Sequence, residues 1–185
     1  MLIAIARYRE ITGDTTSASA VVETAIDDAQ ALLEDQLRRP LEQAARTERL
    51  RVFADGRVYP RATPIISAQA GADIYGNAIV DGTPAGTFLE PDDYAEVTYT
   101  GGYDPAETDL AAVDYVPVEL QRAVAWAAYA ILRPADGLQA PAGDRSATVG
   151  DVSVTFGPGG AAAPGEVEFD RGLVRRWRWR GELAA

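Results

Sequence analysis

Apolar residues recur at intervals of three and four positions in two long segments of the chain, which is typical of amphipathic helices. The first segment covers residues 19–38, and its acidic residues fall mostly off the apolar stripe. Two arginines close the segment before Pro40, which ends the helix. The residues predicted to form the buried stripe are Val22, Ile26, Ala29, Leu33 and Leu37.

The second segment, residues 117–133, begins with a proline that a first helical turn tolerates. No other helix breaker occurs before Pro134. Alanine fills most of one side of this helix and allows another helix or another subunit to approach closely. Because few charges are present, we expect the helix to be nearly surrounded. Its larger side chains share one stripe with a single alanine: Val118, Arg122, Ala125, Trp126, Tyr129 and Leu132.

Alternating apolar and polar residues predict a small β-region at about residues 46–100, inserted between the two helices. Asp55-Gly56 is a strong signal for a hairpin that joins Arg49–Ala54 to Arg57–Tyr59. Further short strands are predicted near residues 63–70 and 94–103. The fold class is therefore α+β, with a helical bundle core and a strand insertion.

The chain after the second helix is rich in proline, glycine and alanine, which is typical of a linker. We predict three regions: a helical core with the β-insertion (1–133), a linker holding one strand at 148–156 (134–165), and a C-terminal docking arm (166–185). The arm is expected to be a short amphipathic helix or an extended segment.

Several kinds of chemistry are excluded by composition. The chain has no cysteine and no histidine, and all 17 basic residues are arginine. It therefore lacks a thiolate nucleophile, a histidine base and a lysine for Schiff-base or phosphate-loop chemistry. The acidic pairs of the first helix are interpreted as solvated surface. We expect no enzymatic activity, no catalytic residue, no metal and no cofactor.

The net charge of the chain limits the classes of partner that it can bind. At −11 the chain is a poor candidate for general nucleic-acid binding, which requires a basic face. The apolar start is too short for a signal peptide, and no stretch approaches the ~20 apolar residues of a membrane span. No membrane partner is predicted.

The C-terminal arm departs from this acidic background. Residues 171–181 hold five arginines and no acidic residue, interleaved with two tryptophans. Arginine and tryptophan are enriched at binding hot spots. Docking to an acidic, partly apolar groove is the favoured interpretation, while packing on its own subunit and nucleic-acid binding stay open. The candidate partner-binding residues are Leu173, Arg175, Arg176, Trp177, Arg178, Trp179 and Arg180.

The order of these features resembles the head-to-tail adaptor (connector) proteins of tailed bacteriophages. Each motif alone is weak, and their sequence of appearance is the specific part. The motifs, in order, are ARYREITGDTT, LLEDQLRRPLE, ERLRVFADGRVYPRATPIIS, VTYTGGY, PVELQRAVAWAAYAILR and SATVGDVSVTFG.

The resemblance implies a structural virion protein that is assembled in the host cytoplasm and located in the neck. Such adaptors form a dodecameric ring between the portal and the head-closure or tail proteins, and DNA passes through the lumen without specific binding. The arm would then bind the portal. The helices would pack within and between subunits through Val22, Ile26, Leu33, Leu37, Trp126 and Tyr129.

Two alternatives from other classes stay open. One is a carboxylate-based hydrolase, against which the missing histidine, cysteine and lysine count heavily. The other is a small cytoplasmic interaction module that binds an acidic partner through the Arg/Trp-rich tail.

Overall fold

The computed structural model describes residues 1–51, 58–68, 79–80, 83–84, 94–132, 146–149, 152–156 and 162–178. The chain forms two compact units, of which the first joins Met1–Leu37 to Val116–Arg178 and the second contains Arg38–Tyr115. Helices and antiparallel strands are both present, which confirms the α+β class. The helices are α1 (Ile5–Thr12), α2 (Ser19–Leu37), α3 (Val118–Leu132) and α4 (Arg171–Trp177). The strands are β1 (Ala44–Arg51), β2 (Ile65–Ala68), β3 (Ile79–Val80), β4 (Thr83–Pro84), β5 (Tyr94–Gly101), β6 (Ser146–Val149), β7 (Val152–Phe156) and β8 (Ala162–Phe169).

Helix α2 supplies much of the core of the first unit. Its predicted stripe is confirmed, because every member is buried. Gln30 is also buried, and its side chain accepts a hydrogen bond of 2.6 Å from the backbone N–H of Leu2. The amide of the same side chain donates to Glu34 at 3.0 Å. The polar head of Gln30 is therefore satisfied inside the core, as buried polar groups require.

Helix α3 is buried over most of its surface, including Ala125 of the predicted stripe. Leu120 and Val124 are buried together with the alanines, whereas Val118 and Arg122 are exposed. Trp126, Tyr129 and Leu132 are half-buried, so the expectation of a nearly surrounded helix is confirmed apart from the two exposed positions. Alanine side chains let the backbones of packed helices approach closely, as expected for this helix. The buried alanines are Ala123, Ala125, Ala127, Ala128 and Ala130.

Ala127→Leu is expected to lower the free energy of unfolding by about 2 kcal/mol, because a close-packed core has no room for three more carbon atoms. Urea denaturation followed by circular dichroism measures the change. Arg122→Leu, which adds an apolar side chain to the exposed side of α3, is the matched control and should change stability by less than about 0.5 kcal/mol. Equal losses in both variants would contradict the assignment of the alanine side as the packed one.

The C-terminal part contains more sheet than the sequence predicts. The strand expected at 148–156 is two strands, β6 and β7, which pair so that Val149 faces Val152. Strand β8 completes an antiparallel sheet of order β6-β7-β8. The sequence between β6 and β7 is Gly150-Asp151, a dipeptide typical of two-residue hairpins. The division into core, linker and arm stays a prediction.

In the second unit, β1 pairs with β5. The antiparallel register joins Ala44 to Gly101 and Arg51 to Tyr94, and β2 pairs with the other edge of β5. The Asp55-Gly56 hairpin falls largely outside the described residues. Val58 and Tyr59, expected in its second strand, are irregular. The buried core here includes Leu50, Val58, Ala62, Val97 and Tyr99.

The end of β5 passes very close to other backbone. Gly102 has a φ of +109°, and a Cβ at this position would lie 2.6 Å from the carbonyl oxygen of Glu42. A Cβ on Gly101 would lie 2.3 Å from the carbonyl oxygen of Ala62. The neighbouring backbone is paired as well, since the N–H of Gln43 donates to the carbonyl of Tyr103 at 2.9 Å. The Gly-Gly pair thus permits a close chain crossing.

Candidate partner-binding site

Helix α4 is fixed at its start by a cap and by one apolar anchor. The Asp170 carboxylate accepts hydrogen bonds from the backbone N–H groups of Gly172 at 2.7 Å and Leu173 at 3.1 Å. This is the usual way in which an N-cap satisfies the free donors of a first turn. The Leu173 side chain is buried in the first unit. The cap and the anchor together order a helix that is too short to be stable alone.

The other end of α4 is joined to the first turn of α3 by Glu119. The Arg176 guanidinium donates from Nη1 to both carboxylate oxygens of Glu119, at 2.5 and 2.7 Å. The indole N–H of Trp177 donates to the same carboxylate at 3.2 Å. We call these three side chains the Glu119 cluster.

The Glu119 cluster is an exposed arrangement. The side chains of Arg176 and Glu119 are 62% and 46% exposed. Hydrogen bonds from Trp177 and Arg176 lower the pKa of Glu119, against the smaller opposing effect of burial. Exposed ion pairs typically add less than about 1 kcal/mol. The Glu119 cluster therefore orients the end of α4, while Leu173 supplies most of its attachment.

The seven predicted partner-binding residues lie in three situations. Leu173 is buried, and Arg176 and Trp177 belong to the Glu119 cluster. Arg175 and Arg178 are exposed to solvent. Trp179 and Arg180 lie outside the described residues. Whether any of them binds a partner stays a prediction.

The predicted packing residues divide in the same way. Val22, Ile26, Leu33 and Leu37 are fully buried within the first unit, so their side chains pack inside the subunit. Trp126 and Tyr129 are half-buried and meet edge to face, with ring centroids 5.7 Å apart. Whether any of these six residues also contacts another subunit stays a prediction.

A buried carboxylate organises the connection between α1 and α2. Asp14 is only 3% exposed and accepts hydrogen bonds from the hydroxyl groups of Tyr8 at 3.1 Å, Thr16 at 3.1 Å and Ser17 at 2.5 Å. The backbone N–H groups of Thr16 and Ser17 donate to it as well. These donors fix the geometry of the loop.

In the described ranges, no group of three or more acidic side chains that could hold a metal ion occurs. Among the same residues, no helix is both long enough and apolar enough to cross a bilayer.

Sequence reasoning missed two features of these surfaces. Glu119 is 57 positions from Arg176, so no local pattern connects them. In the acidic connection Asp104–Asp114, the side chains of Leu110 and Val113 are 74% and 67% exposed. The sequence held one indication of this surface, namely two large apolar residues within an acidic segment.

Comparison with known proteins gives a structural match. No protein-family model matches the chain, and no curated protein matches it. One solved structure, described as the neck of an empty gene transfer agent particle computed with C6 symmetry, contains a chain that aligns with a TM-score of 0.52. The alignment covers 96% of this chain and 89% of that chain at 19% identity. This chain shares the fold of that neck chain.

A second match leads to the same kind of particle. A chain in the virion of a native gene transfer agent particle aligns with a TM-score of 0.51 and 17% identity. It covers the same shares of both chains, 96% and 89%. The likeness to the neck chain therefore extends over nearly the whole sequence rather than over one unit.

Proposed function

We propose that the chain is a head-to-tail adaptor in the neck of a phage-like particle, with a structural and not an enzymatic role. The observation that carries this proposal is the fold shared with a gene transfer agent neck chain over 96% of the sequence. The absence of cysteine, histidine and lysine from the sequence supports a structural role. The chain would then be a virion component that is assembled in the host cytoplasm.

In this proposal the copies form a closed ring between the portal and the head-closure or tail proteins. The related neck structure was computed with C6 symmetry, and a dodecamer is one of the assemblies compatible with six-fold symmetry. A ring requires each copy to offer two different surfaces to its neighbours. The half-buried pair Trp126 and Tyr129 is one candidate for such a surface.

The charge of the chain supports a channel role. At −11 the subunit would repel DNA, and a ring of acidic subunits would let DNA pass through the lumen without binding it.

The C-terminal arm, residues 166–185, is proposed to bind the portal. Its charge is opposite to that of the rest of the chain, and Arg175 and Arg178 are exposed to solvent. Because Arg176 and Trp177 already contact Glu119, a portal carboxylate would compete with Glu119 for them. Trp179 and Arg180 complete the proposed contact.

Electron microscopy of the chain co-expressed with the portal protein of the same particle tests this proposal. The wild-type chain should form a ring beneath the portal. The variant Trp179→Ala/Arg180→Glu alters the end of the arm beyond α4, and the ring should then be lost because the contact loses its aromatic and cationic anchors.

The matched control is Tyr94→Ala/Arg49→Glu. This pair is an exposed aromatic side chain and an arginine 5.1 Å from its ring, on the sheet of the second unit. The control should keep the ring. A ring that survives both double substitutions would contradict the portal-binding arm. If the wild-type chain forms no ring, the adaptor role is wrong and the interaction-module alternative is favoured.

A further inference from the structure

The connection Asp104–Asp114 is a hydrogen-bonded loop that presents apolar side chains to solvent. Leu110 lies in a turn that the N–H of Ala112 closes by donating to the carbonyl of Asp109 at 3.0 Å. Val113 lies in the next turn, which the N–H of Tyr115 closes by donating to the carbonyl of Ala112 at 3.2 Å. The two exposed apolar side chains therefore belong to consecutive turns of one loop. We call residues 104–114 the acidic loop, because four of them are acidic and none is basic.

The acidic side chains of this loop hold its backbone in place. The Asp104 carboxylate accepts from the N–H of Ala106 at 2.8 Å, and Asp109 accepts from Ala111 at 2.9 Å. Glu107 accepts from the N–H groups of both Thr108 and Asp109 at 2.7 Å.

The base of the loop is closed as well. The N–H of Asp104 donates to the carbonyl of Asp114 at 2.8 Å, and the side-chain amide of Gln43 donates to the Asp114 carboxylate at 3.3 Å. A loop fixed in this way loses little conformational entropy when it binds, so the exposed apolar pair is prepared for contact.

Helix α4 carries a surface of complementary character. Four residues of this segment are spaced three, one and three positions apart, which places them on one side of the helix. They are Arg171, Val174, Arg175 and Arg178. The three arginines are exposed, and Val174 between them is half-buried. Among the described residues their guanidinium groups carry no hydrogen bond or ion pair. We call these four residues the α4 stripe.

We propose that the acidic loop of one copy of this chain binds the α4 stripe of a neighbouring copy. Four carboxylates around Leu110 and Val113 would face three arginines around Val174. The methylene groups of the arginines would cover the apolar pair while their guanidinium groups reach the carboxylates. In a chain of net charge −11, the arm that contains the α4 stripe is the strongly basic segment, so the occupant is a second copy.

The two surfaces differ, so the contact is head-to-tail, and repetition of such a contact can close into a ring. The inference rests on the proposed function for the idea that copies are ring neighbours. In this arrangement Arg175 and Arg178 would contact the neighbouring copy instead of the portal. Arg176, Trp177 and the end of the arm from Trp179 onward are then left to the portal.

Disulfide trapping between copies tests the contact, because the chain has no cysteine of its own. Two single variants, Leu110→Cys and Arg175→Cys, are oxidised separately and as a mixture, both as concentrated protein and in rings assembled with the portal. Only the mixture should give a disulfide-linked dimer. The dimer should be lost when oxidation is performed at 1 M salt, where the screening length falls to about 3 Å.

The matched control mixes Arg175→Cys with Val21→Cys, an apolar residue that is 52% exposed on α2. It should give no dimer. A dimer of Leu110→Cys with itself, an equal yield in the control, or no dimer in the mixture would each overturn the proposed contact. Rings beneath the portal without this crosslink would overturn the contact alone, whereas the crosslink without rings would overturn the adaptor role alone.

Discussion

Replacement of Gly102 by alanine is expected to lower the free energy of unfolding by roughly 4 kcal/mol. Two costs combine at this position. The φ of +109° is a backbone conformation that side chains with a Cβ rarely adopt, and the added Cβ would lie 2.6 Å from the Glu42 carbonyl oxygen. The obstructing atoms belong to backbone that is itself hydrogen-bonded to Tyr103, so they cannot easily move away.

Gly13 provides the matched control for this substitution. It also has a positive φ, +73°, but a Cβ there would meet no atom within 4 Å. Gly13→Ala should therefore cost only the conformational part, about 1 kcal/mol. Urea denaturation followed by circular dichroism compares the two variants, and faster hydrogen exchange of the Gln43 and Tyr103 amides would locate the Gly102 effect. Similar losses at both glycines would contradict the close crossing.

Asp14→Ala is expected to cost roughly 3 kcal/mol, because it removes a buried acceptor and leaves several donors unsatisfied. These donors belong to Tyr8, Thr16 and Ser17. The control Asp28→Ala changes an exposed carboxylate on α2 and should be nearly neutral. Thermal and urea denaturation measure both. If the two variants lose the same amount of stability, the network of Asp14 does not hold the loop.

The same network predicts a pH dependence. Burial alone would raise the pKa of Asp14, but hydrogen bonds from Ser17, Thr16 and Tyr8 together lower it well below the usual range of an aspartate. Because the folded-state pKa is depressed, the added stability is present above the unfolded-state pKa of about 4 and is lost as the pH falls below it. The stability gap between wild type and Asp14→Asn should therefore shrink between neutral pH and pH 3. A constant gap would contradict the pKa shift.

The helices were predictable from sequence in extent, and only partly in orientation. The stripe of α2 is apolar and opposed by charges, so its buried side could be assigned from the pattern. In α3 both sides are weakly polar, so the sequence indicated a nearly surrounded helix with close approach on its alanine side. Which helix makes that approach through Ala127 and its alanine neighbours depends on a partner that the local sequence does not contain.

Local sequence patterns predicted the positions of some strands but not their pairing. Alternation located β1 and β5, but no local pattern indicated that β1 pairs with the distant β5. Strand β8 was missed because alanine, proline and glycine fill its first half and resemble a linker. Its pairing with β7 supplies the order that its own composition does not favour.

The composition of the candidate site could be predicted from the sequence, but its geometry could not. The arginines and tryptophans of the arm are visible in the sequence, so its basic and aromatic character could be read directly. The contact of Arg176 with Glu119 joins residues far apart in the chain. The role of Asp14 was also hidden, although an Asp followed by Thr and Ser residues is a common start for a side-chain-stabilised turn.

Residues 38–115 are inserted between the two chain segments of the first unit. The first unit therefore begins before the insertion in the chain and can be completed only after it. On the ribosome, residues 38–115 of the second unit emerge while α1 and α2 still lack α3. Domains usually fold as they are synthesised, from the N-terminus onward. Here the apolar stripe of α2 can complete its packing against α3 only after the whole insertion has been translated.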